Sequence, residues 1–383
     1  MRDISVLING DRGKNYPSQK DIMEVGEIPF INAGHLVNNS LDLENLNYIT
    51  RENYNRLSSG KVIEGDIVYC LRGSLGKKAL IKDISEGAIA SSLVIIRPIN
   101  NLVFSEYLLL SLESSYIKKQ LVNANNGSSQ PNLSAKSVSN FLVKLHDKQN
   151  QINIIQKMSK ISSLIESKKK QLFEYDQLIK SRFVEMFGDI FNGKSNYPKI
   201  KISEAVVPKI ERANKSFSSE DKIKYVDISS VDNQRNIIIG YTEYLMKDAP
   251  SRAQQHVRKD DIIISTVRPN LNNVAKVPHD YSNIVASSGF CVLRASKVKS
   301  NYLFAVVSMQ SFADYLASLT TGANYPAVSD RDILNFEIPN APIEEQIKFS
   351  DFIKQIDKLK FAVQKSIDET QKLFDSLMQE YFG

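Results

Sequence analysis

The dominant feature of this sequence is a long helical stretch that occurs twice. Residues 147–188 align without a gap with residues 342–383, at a constant offset of 195. Both stretches repeat apolar residues at alternating spacings of four and three, with proline and glycine only at their terminal positions. Two independent helices have no reason to share so long a register. The pattern therefore predicts an internal duplication with two coiled-coil helices of roughly 37 residues, about 55 Å each.

The apolar seam of these helices supplies the residues for helix pairing. The candidates are Ile154, Met158, Ile161, Ile165, Leu172, Phe183, Phe349, Ile353, Ile356, Val363, Ile367 and Phe374. Two lysines interrupt the seam, because Lys360 aligns with Ile165 and Lys168 aligns with Val363. We hypothesise that these polar positions fix the register of the helix pair, as buried polar residues do in coiled coils.

The segments between the helices follow the same period. VIEGDIVYCLRGSLGKKALI resembles VRKDDIIISTVRPNLNNVAKV, and the loop NNGSSQPN resembles TTGANYPA. Short β-branched or alternating runs predict strands, residues 106–123 and 301–319 predict helices, and NFLVKL and NFEIPN predict a final strand in each copy. The fold class is therefore α+β, with two tandem-duplicated domains of mixed strands and helices, each followed by a long coiled-coil helix. The expected division is 1–145 for the first domain, 146–188 for the central helix, 189–340 for the second domain and 341–383 for the C-terminal helix.

Composition and charge limit the classes of function that this chain can have. The net charge is +6, compatible with a nucleic-acid partner. No apolar run is long enough to span a membrane, and two cysteines, Cys70 and Cys291, indicate small buried hydrophobes and a reducing cytoplasm. The four histidines and two cysteines lack zinc spacing, and GSLGKK lacks the spacing of a phosphate-binding loop. We expect a protein that is not an enzyme by itself and binds no cofactor or metal.

Three loops recur in both copies and carry the residue types that bind phosphates and base edges. In the first copy the candidate DNA-binding residues are Arg12, Lys14, Asn15, Tyr16, Arg72, Lys77, Lys78, Asn126, Ser128 and Gln130. In the second copy they are Arg212, Lys215, Arg268, Asn270, Asn272, Asn273, Lys276, Asn324 and Tyr325. A single loop of this kind is commonly a solvated turn, but three loops that recur together favour a shared binding face in each domain.

The sequence resembles the specificity (S) subunit of type I restriction-modification systems over essentially its whole length. The likeness rests on the order domain, long helix, domain, long helix, and on the strings INGDRGKNYPS, IPFINAGHL, GDIVYCLRGSLGKKALI, NGSSQPNLS, TGANYPAVS and IPNAPIEEQIKFSDFIKQIDKL. The last string is the most specific, because a strand that ends in proline and leads into a helix with Glu-Gln-Ile in its first turn is typical of the family. The first copy, LHDKQNQI, lacks the prolines.

The resemblance implies a subunit that reads DNA through two target recognition domains. Each domain reads one half of a split, asymmetric site. The two long helices pack as an antiparallel, pseudo-two-fold coiled coil that acts as a spacer between the half-sites, and their apolar residues also serve for docking methyltransferase subunits. Double-stranded DNA, two methyltransferase (M) subunits and, where present, two restriction (R) subunits are the implied partners. S-adenosylmethionine, ATP and Mg²⁺ are implied on those partner subunits.

Two alternatives keep the duplicated architecture but change the function. The first is a free-standing DNA-binding regulator without a methyltransferase partner. The second is a scaffold whose domains bind protein. Exposed apolar residues on the helices would argue against the regulator, and a steep fall of DNA affinity with salt would argue against the scaffold.

Overall fold

The chain forms two compact units that each combine one globular domain with parts of both long helices. A computed structural model describes residues 1–125, 132–278, 281–320 and 326–383. The first unit comprises residues 1–167 together with 366–383, and the second comprises residues 168–365. Each long helix therefore contributes to both units.

The first unit contains two four-stranded sheets. Its strands are β1 (Ser5–Asn9), β2 (Ile28–Ile31), β3 (Leu36–Val37), β4 (Ser40–Leu41), β5 (Asn47–Ile49), β6 (Lys61–Ile63), β7 (Ile67–Cys70), β8 (Lys78–Leu80), β9 (Glu86–Ile89) and β10 (Leu93–Pro98). One sheet has the antiparallel order β1-β10-β7-β8, and the other has the order β5-β2-β9-β6, in which β2 and β9 run parallel. Its helices are α1 (Arg51–Arg56), α2 (Ser105–Ser111), α3 (Ser115–Ala124), α4 (Ala135–Ser139) and the first half of α5 (Lys148–Phe187).

The second unit repeats this topology. Its strands are β11 (Lys199–Lys201), β12 (Lys222–Val226), β13 (Val231–Asp232), β14 (Ile237–Ile238), β15 (Thr242–Leu245), β16 (Ala253–His256), β17 (Ile262–Ser265), β18 (Val274–Lys276), β19 (Ile284–Ser287), β20 (Phe290–Leu293) and β21 (Glu337–Pro339). The sheet β15-β12-β19-β16 again contains one parallel pair, and β18-β17-β20 corresponds to β8-β7-β10. Its helices are α6 (Ile202–Ala205), α7 (Ala213–Ser216), α8 (Ser300–Val307), α9 (Gln310–Ser318), α10 (Asp330–Leu334) and most of α11 (Ile343–Phe382).

A buried ion pair occurs at the same place in both units. The Asp66 carboxylate, almost fully buried, accepts from Nε and Nη2 of Arg97 at 2.8 Å each. The Asp261 carboxylate accepts from Nε and Nη2 of Arg294 at 2.9 and 2.7 Å. Bidentate pairing of this kind neutralises a carboxylate that burial would otherwise penalise. The duplication predicted from the sequence is therefore confirmed in both topology and internal contacts.

A buried glutamine ties each long helix to its domain. The Gln151 amide oxygen accepts from the Phe104 backbone N–H at 3.0 Å, and the Gln346 amide oxygen accepts from that of Lys299 at 2.8 Å. Each amide nitrogen also donates, at 2.8 Å, to the backbone carbonyl five residues earlier. Only a side chain that both accepts and donates satisfies these buried groups. This explains the glutamine in the Glu-Gln-Ile motif.

The ends of the long helices belong to the domain cores. Ile154 and Met158 of α5 share the first core with Met378 and Phe382 of α11. The second core includes Phe183, Phe187, Phe349 and Ile353. Each core therefore contains the start of one long helix and the end of the other. The helices are consequently more than spacers, because neither domain is complete without both.

Antiparallel packing of the helices, which the family resemblance implies, is confirmed within the second unit. Lys360 donates to the Asp176 carboxylate at 2.7 Å, and the rings of Phe349 and Phe183 lie 5.7 Å apart. Residue numbers thus rise along α5 as they fall along α11. All the apolar seam residues proposed above are buried or half-buried.

Two local expectations were wrong. Residues 106–123 do not form one helix, since α2 ends at Ser111 and α3 starts at Ser115, where the Ser114 hydroxyl accepts from the Ile117 N–H. The stretch 301–319 is divided in the same way into α8 and α9. NFLVKL forms no strand, whereas its counterpart is β21, which pairs with β11.

Candidate nucleic-acid interface

Two of the three predicted loops meet in each unit. Arg72 bridges Asn132, and the Leu133 N–H donates to the Leu71 carbonyl at 2.9 Å. In the second unit the equivalent bridge joins Val267 to Ala327, again at an offset of 195. The loop after β7 or β17 and the segment before the short helix α4 or α10 therefore form one continuous surface in each copy.

The third loop of the first unit is anchored by a buried carboxylate. Asp11 accepts from the Gly13 N–H at 2.9 Å, and from the N–H and hydroxyl of Ser58 at 2.8 Å each. These hydrogen bonds, first among them that from Gly13, hold the pKa of Asp11 below its ordinary value. The anchored turn presents Arg12, whose guanidinium donates to the Ser91 carbonyl at 3.1 Å.

All three loops of the first unit contribute to one cationic cleft. The cleft has a volume of about 340 Å³ and is lined by Arg12, Arg72 and Lys136 together with Asn9 and Asn132. No carboxylate is among its lining residues in the part of the chain that the structure describes. Guanidinium, ammonium and amide groups with this arrangement suit a phosphate-bearing ligand. Sequence reasoning missed Lys136, which lies on a five-residue helix outside the recurring loops.

The neighbouring lysines of the β7–β8 loop have different environments. Lys77 is exposed. Lys78 is buried and lies 3.4 Å from the Glu113 carboxylate, and burial lowers the pKa of its ammonium group. A buried and paired lysine cannot reach a DNA backbone, so the prediction that Lys78 contacts DNA is not supported by its position.

Tyr16 has a packing role. Its ring lies edge-on to Phe30 at 5.9 Å, and its hydroxyl oxygen accepts from the Ser91 N–H at 3.4 Å. Lys14 and Asn15 are exposed beside it. Tyr16 therefore holds the opening loop in place, while its two neighbours are accessible to a ligand.

In the second unit the loop after β17 has an unusual backbone. Arg268 has φ 50° and Asn272 has φ 51°, so two residues other than glycine occupy the left-handed region. The Arg268 N–H donates to the Pro326 carbonyl at 2.8 Å, which fixes the loop to the segment before α10. Arg268 and Asn270 are exposed. Strain maintained by surrounding contacts is common where a loop presents side chains to a ligand.

Three other predicted residues of this loop serve the fold. Asn272 donates to the Ser308 carbonyl at 2.9 Å, and Asn273 is buried. Lys276 donates to the Asn301 side chain and lies 3.7 Å from the Asp260 carboxylate. Their predicted contact with DNA is therefore not supported by their positions.

Arg212 and Lys215 are exposed at the opening of the second unit. Arg212 lines a cleft of about 460 Å³ that also contains Lys209, Glu211 and Asp330. This second cleft thus mixes cations with carboxylates. Five predicted residues lie outside the described residues, namely Asn126, Ser128, Gln130, Asn324 and Tyr325.

Other chemistry is sparse in the described ranges 1–125, 132–278, 281–320 and 326–383. No group of three histidine, cysteine or carboxylate side chains is arranged to hold a metal ion there. Cys70 and Cys291 are buried on β7 and β20, as predicted, and burial raises the pKa of both thiols. Among those residues no helix has the length and hydropathy needed to cross a bilayer.

Comparison with known proteins identifies the class. The model of the type I restriction modification DNA specificity domain matches residues 3–174 and 201–370. The chain therefore belongs to the type I restriction-modification DNA specificity family. Both repeats match the same domain, as the duplicated sheets and ion pairs require.

Two curated relatives come from Methanocaldococcus jannaschii. The MjaVIII type I restriction enzyme specificity subunit is 24% identical, over 83% of this chain and 78% of the relative. The putative MjaX specificity subunit is 22% identical, over 91% and 85%. A chain from a structure that addresses complex assembly and conformational transition of the type I R-M system has a TM-score of 0.57 at 15% identity, covering 93% of this chain and 91% of that one. This last likeness supports the fold.

Proposed function

We propose that this chain reads a bipartite, asymmetric DNA site, one half-site with each globular domain, and directs methyltransferase subunits to it. The two recognition domains are residues 1–145 and 189–340, and residues 146–188 and 341–383 form the spacer helices. The observation that carries the proposal is the paired loop surface, which has the same backbone contacts in both units but different side chains. Equivalent surfaces with different side chains favour two different half-sites.

The long helices support a spacer role. Each is 40 residues long, which corresponds to about 60 Å at 1.5 Å per residue. Half-sites on one face of B-DNA lie about 34 Å apart, or a multiple of that distance. Since each helix contributes to both domain cores, a change in one helix would alter the geometry of both half-sites.

The outer faces of the helices favour partner subunits over a solitary regulator. Several large apolar residues outside the seam are more than 40% exposed: Leu164, Phe173, Leu178, Leu359, Phe361 and Leu373. Such residues are costly on a solvated helix and suit a protein interface. We propose two M subunits, and two R subunits where the system includes them, as the partners.

The chemistry belongs to those partners in this proposal. S-adenosylmethionine would bind the M subunits, and ATP and Mg²⁺ would bind the R subunits. This chain would supply sequence recognition and positioning in the cytoplasm. Its contribution to rate would be the placement of the target adenine at the partner's active site.

Long-read sequencing of base modifications tests the proposal directly. DNA from cells that express this chain together with the proposed M subunit should contain a split motif with N6-methyladenine. The motif should disappear when this chain is deleted and return when it is restored. Unchanged modification after deletion would contradict the proposal and favour a regulator or a scaffold.

A further inference from the structure

The clefts of the two units differ in charge. The first cleft is lined by Arg12, Arg72 and Lys136, with no carboxylate among its lining residues in the described parts of the chain. The second is lined by Lys209 and Arg212 but also by two carboxylates, Glu211 and Asp330. A phosphate approaching the first cleft meets only attraction and amide donors. A phosphate approaching the second must also overcome carboxylate repulsion.

The difference arises at equivalent positions. Arg72 and its counterpart Val267 occupy the same backbone bridge, so one cation is replaced by an apolar residue. At the start of the short helix, Ala135 of the first unit corresponds to Asp330 of the second. Lys136 and its counterpart Arg331 are both cationic, and the exposed Arg268 lies beside Val267, so the two surfaces differ in where their positive charges lie and in the additional carboxylate of Asp330.

Ion pairs at the two clefts do not remove this difference in charge. Glu211 accepts from Arg258 at 2.6 Å, which compensates one carboxylate of the second cleft but leaves Asp330. Asp11, the acidic residue next to Arg12, is buried and satisfied by Gly13 and Ser58, so it does not line the first cleft. The first cleft keeps the larger positive excess.

We propose that the Arg12/Arg72/Lys136 cleft binds DNA backbone phosphates and that the first domain supplies most of the salt-dependent affinity for DNA. This inference rests on the proposed DNA-reading function and adds that the two domains contribute unequally to the salt-dependent affinity for DNA. The first domain anchors the duplex through charge. The second domain contributes contacts that depend less on ionic strength.

The contribution of each domain can be measured from the salt dependence of binding to a random-sequence DNA duplex of 30 base pairs. Removing one cation that neutralises a phosphate should lower the slope of log affinity against log salt by about 0.9. Raising the salt concentration from 50 to 200 mM lowers the affinity of each protein by a certain factor. For R12Q/R72Q/K136Q, this factor should be smaller than for the wild type by up to about 40-fold. The three side chains are exposed, so thermal unfolding of the variant should match that of the parent protein.

Two matched triple variants serve as controls. K82Q/K118Q/K119Q removes three exposed charges of the first unit outside the cleft, and K209Q/R212Q/R331Q removes three exposed charges of the second unit, two of which line its cleft. Each should change the slope by less than about 0.9, the value expected for a single phosphate. Equal slope changes in all three variants, or none in the cleft variant, would overturn the inference.

Methylation separates this inference from the proposed function. If the wild-type chain directs methylation of a split motif while the cleft variant keeps the wild-type salt slope, the inference of unequal contributions is wrong and the DNA-reading role stands. If the wild-type chain neither binds the duplex nor directs methylation, the proposed function fails and the inference fails with it.

Discussion

At the scale of single residues, the buried Asp66 carboxylate shows why certain positions recur in both copies. Besides the Arg97 guanidinium, it accepts from the Ile63 N–H at 2.9 Å, so it closes the turn between β6 and β7. Asp261 does the same with the Arg258 N–H at 2.8 Å. A charge-assisted contact to both a turn and a strand fixes their relative position in each unit.

Asp66→Asn should destabilise the first unit by about 2 to 4 kcal/mol, because an amide places N–H donors against the Arg97 guanidinium and leaves that cation unpaired. Urea unfolding of the full chain measures the change. Asp83→Asn, at an exposed position, is the control and should shift stability by less than about 0.5 kcal/mol. A similar effect from both substitutions would contradict a structural role for the buried pair.

His35 gives the first unit a dependence on pH. Its ring is buried, and its Nδ1 accepts from the Asn32 N–H at 3.2 Å, which requires the neutral form. Burial lowers the pKa of His35 below its ordinary value of 6.5. The unfolded chain therefore binds more protons than the folded chain below pH 6.5, so stability is complete above that pH and decreases as the pH falls.

His35→Asn keeps an acceptor for the Asn32 N–H but cannot titrate. Above pH 6.5 the free energies of unfolding of the wild type and the variant should change in parallel with pH. Between pH 6.5 and 5 the wild type should lose stability relative to the variant. Chemical denaturation at half-unit pH steps measures this divergence. Parallel curves across the whole range would show that His35 is not the titrating group.

At the scale of secondary-structure elements, the sequence predicted what depends on local pattern. The long helices were predictable because a repeat of 3.5 residues continues over many turns, and the strands of the sheets because β-branched runs alternate. The break between α2 and α3 was missed because Leu112–Ser114 contains neither glycine nor proline. A serine cap there is recognisable only once the helix is known to end.

The candidate site was only partly predictable for a related reason. Lys78 lies in a loop rich in basic residues, but it is buried and pairs with Glu113, which lies in a distant part of the sequence. Lys136 lies outside every recurring loop, and it joins the cleft only because the segment at Asn132 pairs with the loop at Arg72. Local residue type indicates which side chains could bind DNA, but tertiary pairing decides which ones are available.

The lysines in the helix seam test register control. Lys360 is half-buried and paired with Asp176, an arrangement worth at most about 1 kcal/mol. K168L/K360L should therefore leave stability unchanged or raise it, because leucine packs well in a seam, while alternative registers become accessible. Spin labels at Gln177 and Lys358, both exposed within the second unit, should report a broader distance distribution in the variant. An unchanged narrow distribution would refute the hypothesis.

At the scale of the whole molecule, the two copies share the buried contacts that hold the fold together and differ at the loops that we propose bind DNA. The ion pairs of Asp66 and Asp261 and the glutamine contacts of Gln151 and Gln346 are duplicated. The cleft residues are shared only in part, because Lys136 corresponds to the cationic Arg331 whereas Arg72 corresponds to Val267. Duplication followed by change at the loops gives one scaffold two recognition surfaces, each built on its own core.

Separate cores predict that the two half-sites can be altered independently. R268Q/N270A changes exposed loop residues of the second unit alone, so it should relax or alter one half of the methylated motif and leave the other half intact. If these side chains contact base edges, discrimination at the affected positions should fall by about 1 to 3 kcal/mol per base pair. If they contact only phosphates, methylation should decrease uniformly without a change of motif.

Long-read modification mapping distinguishes these results, with Lys297→Gln as the control for the removal of a charge in the same unit. Changes in both halves of the motif would contradict independent reading, because they would require the loop of one domain to act on the DNA bound by the other.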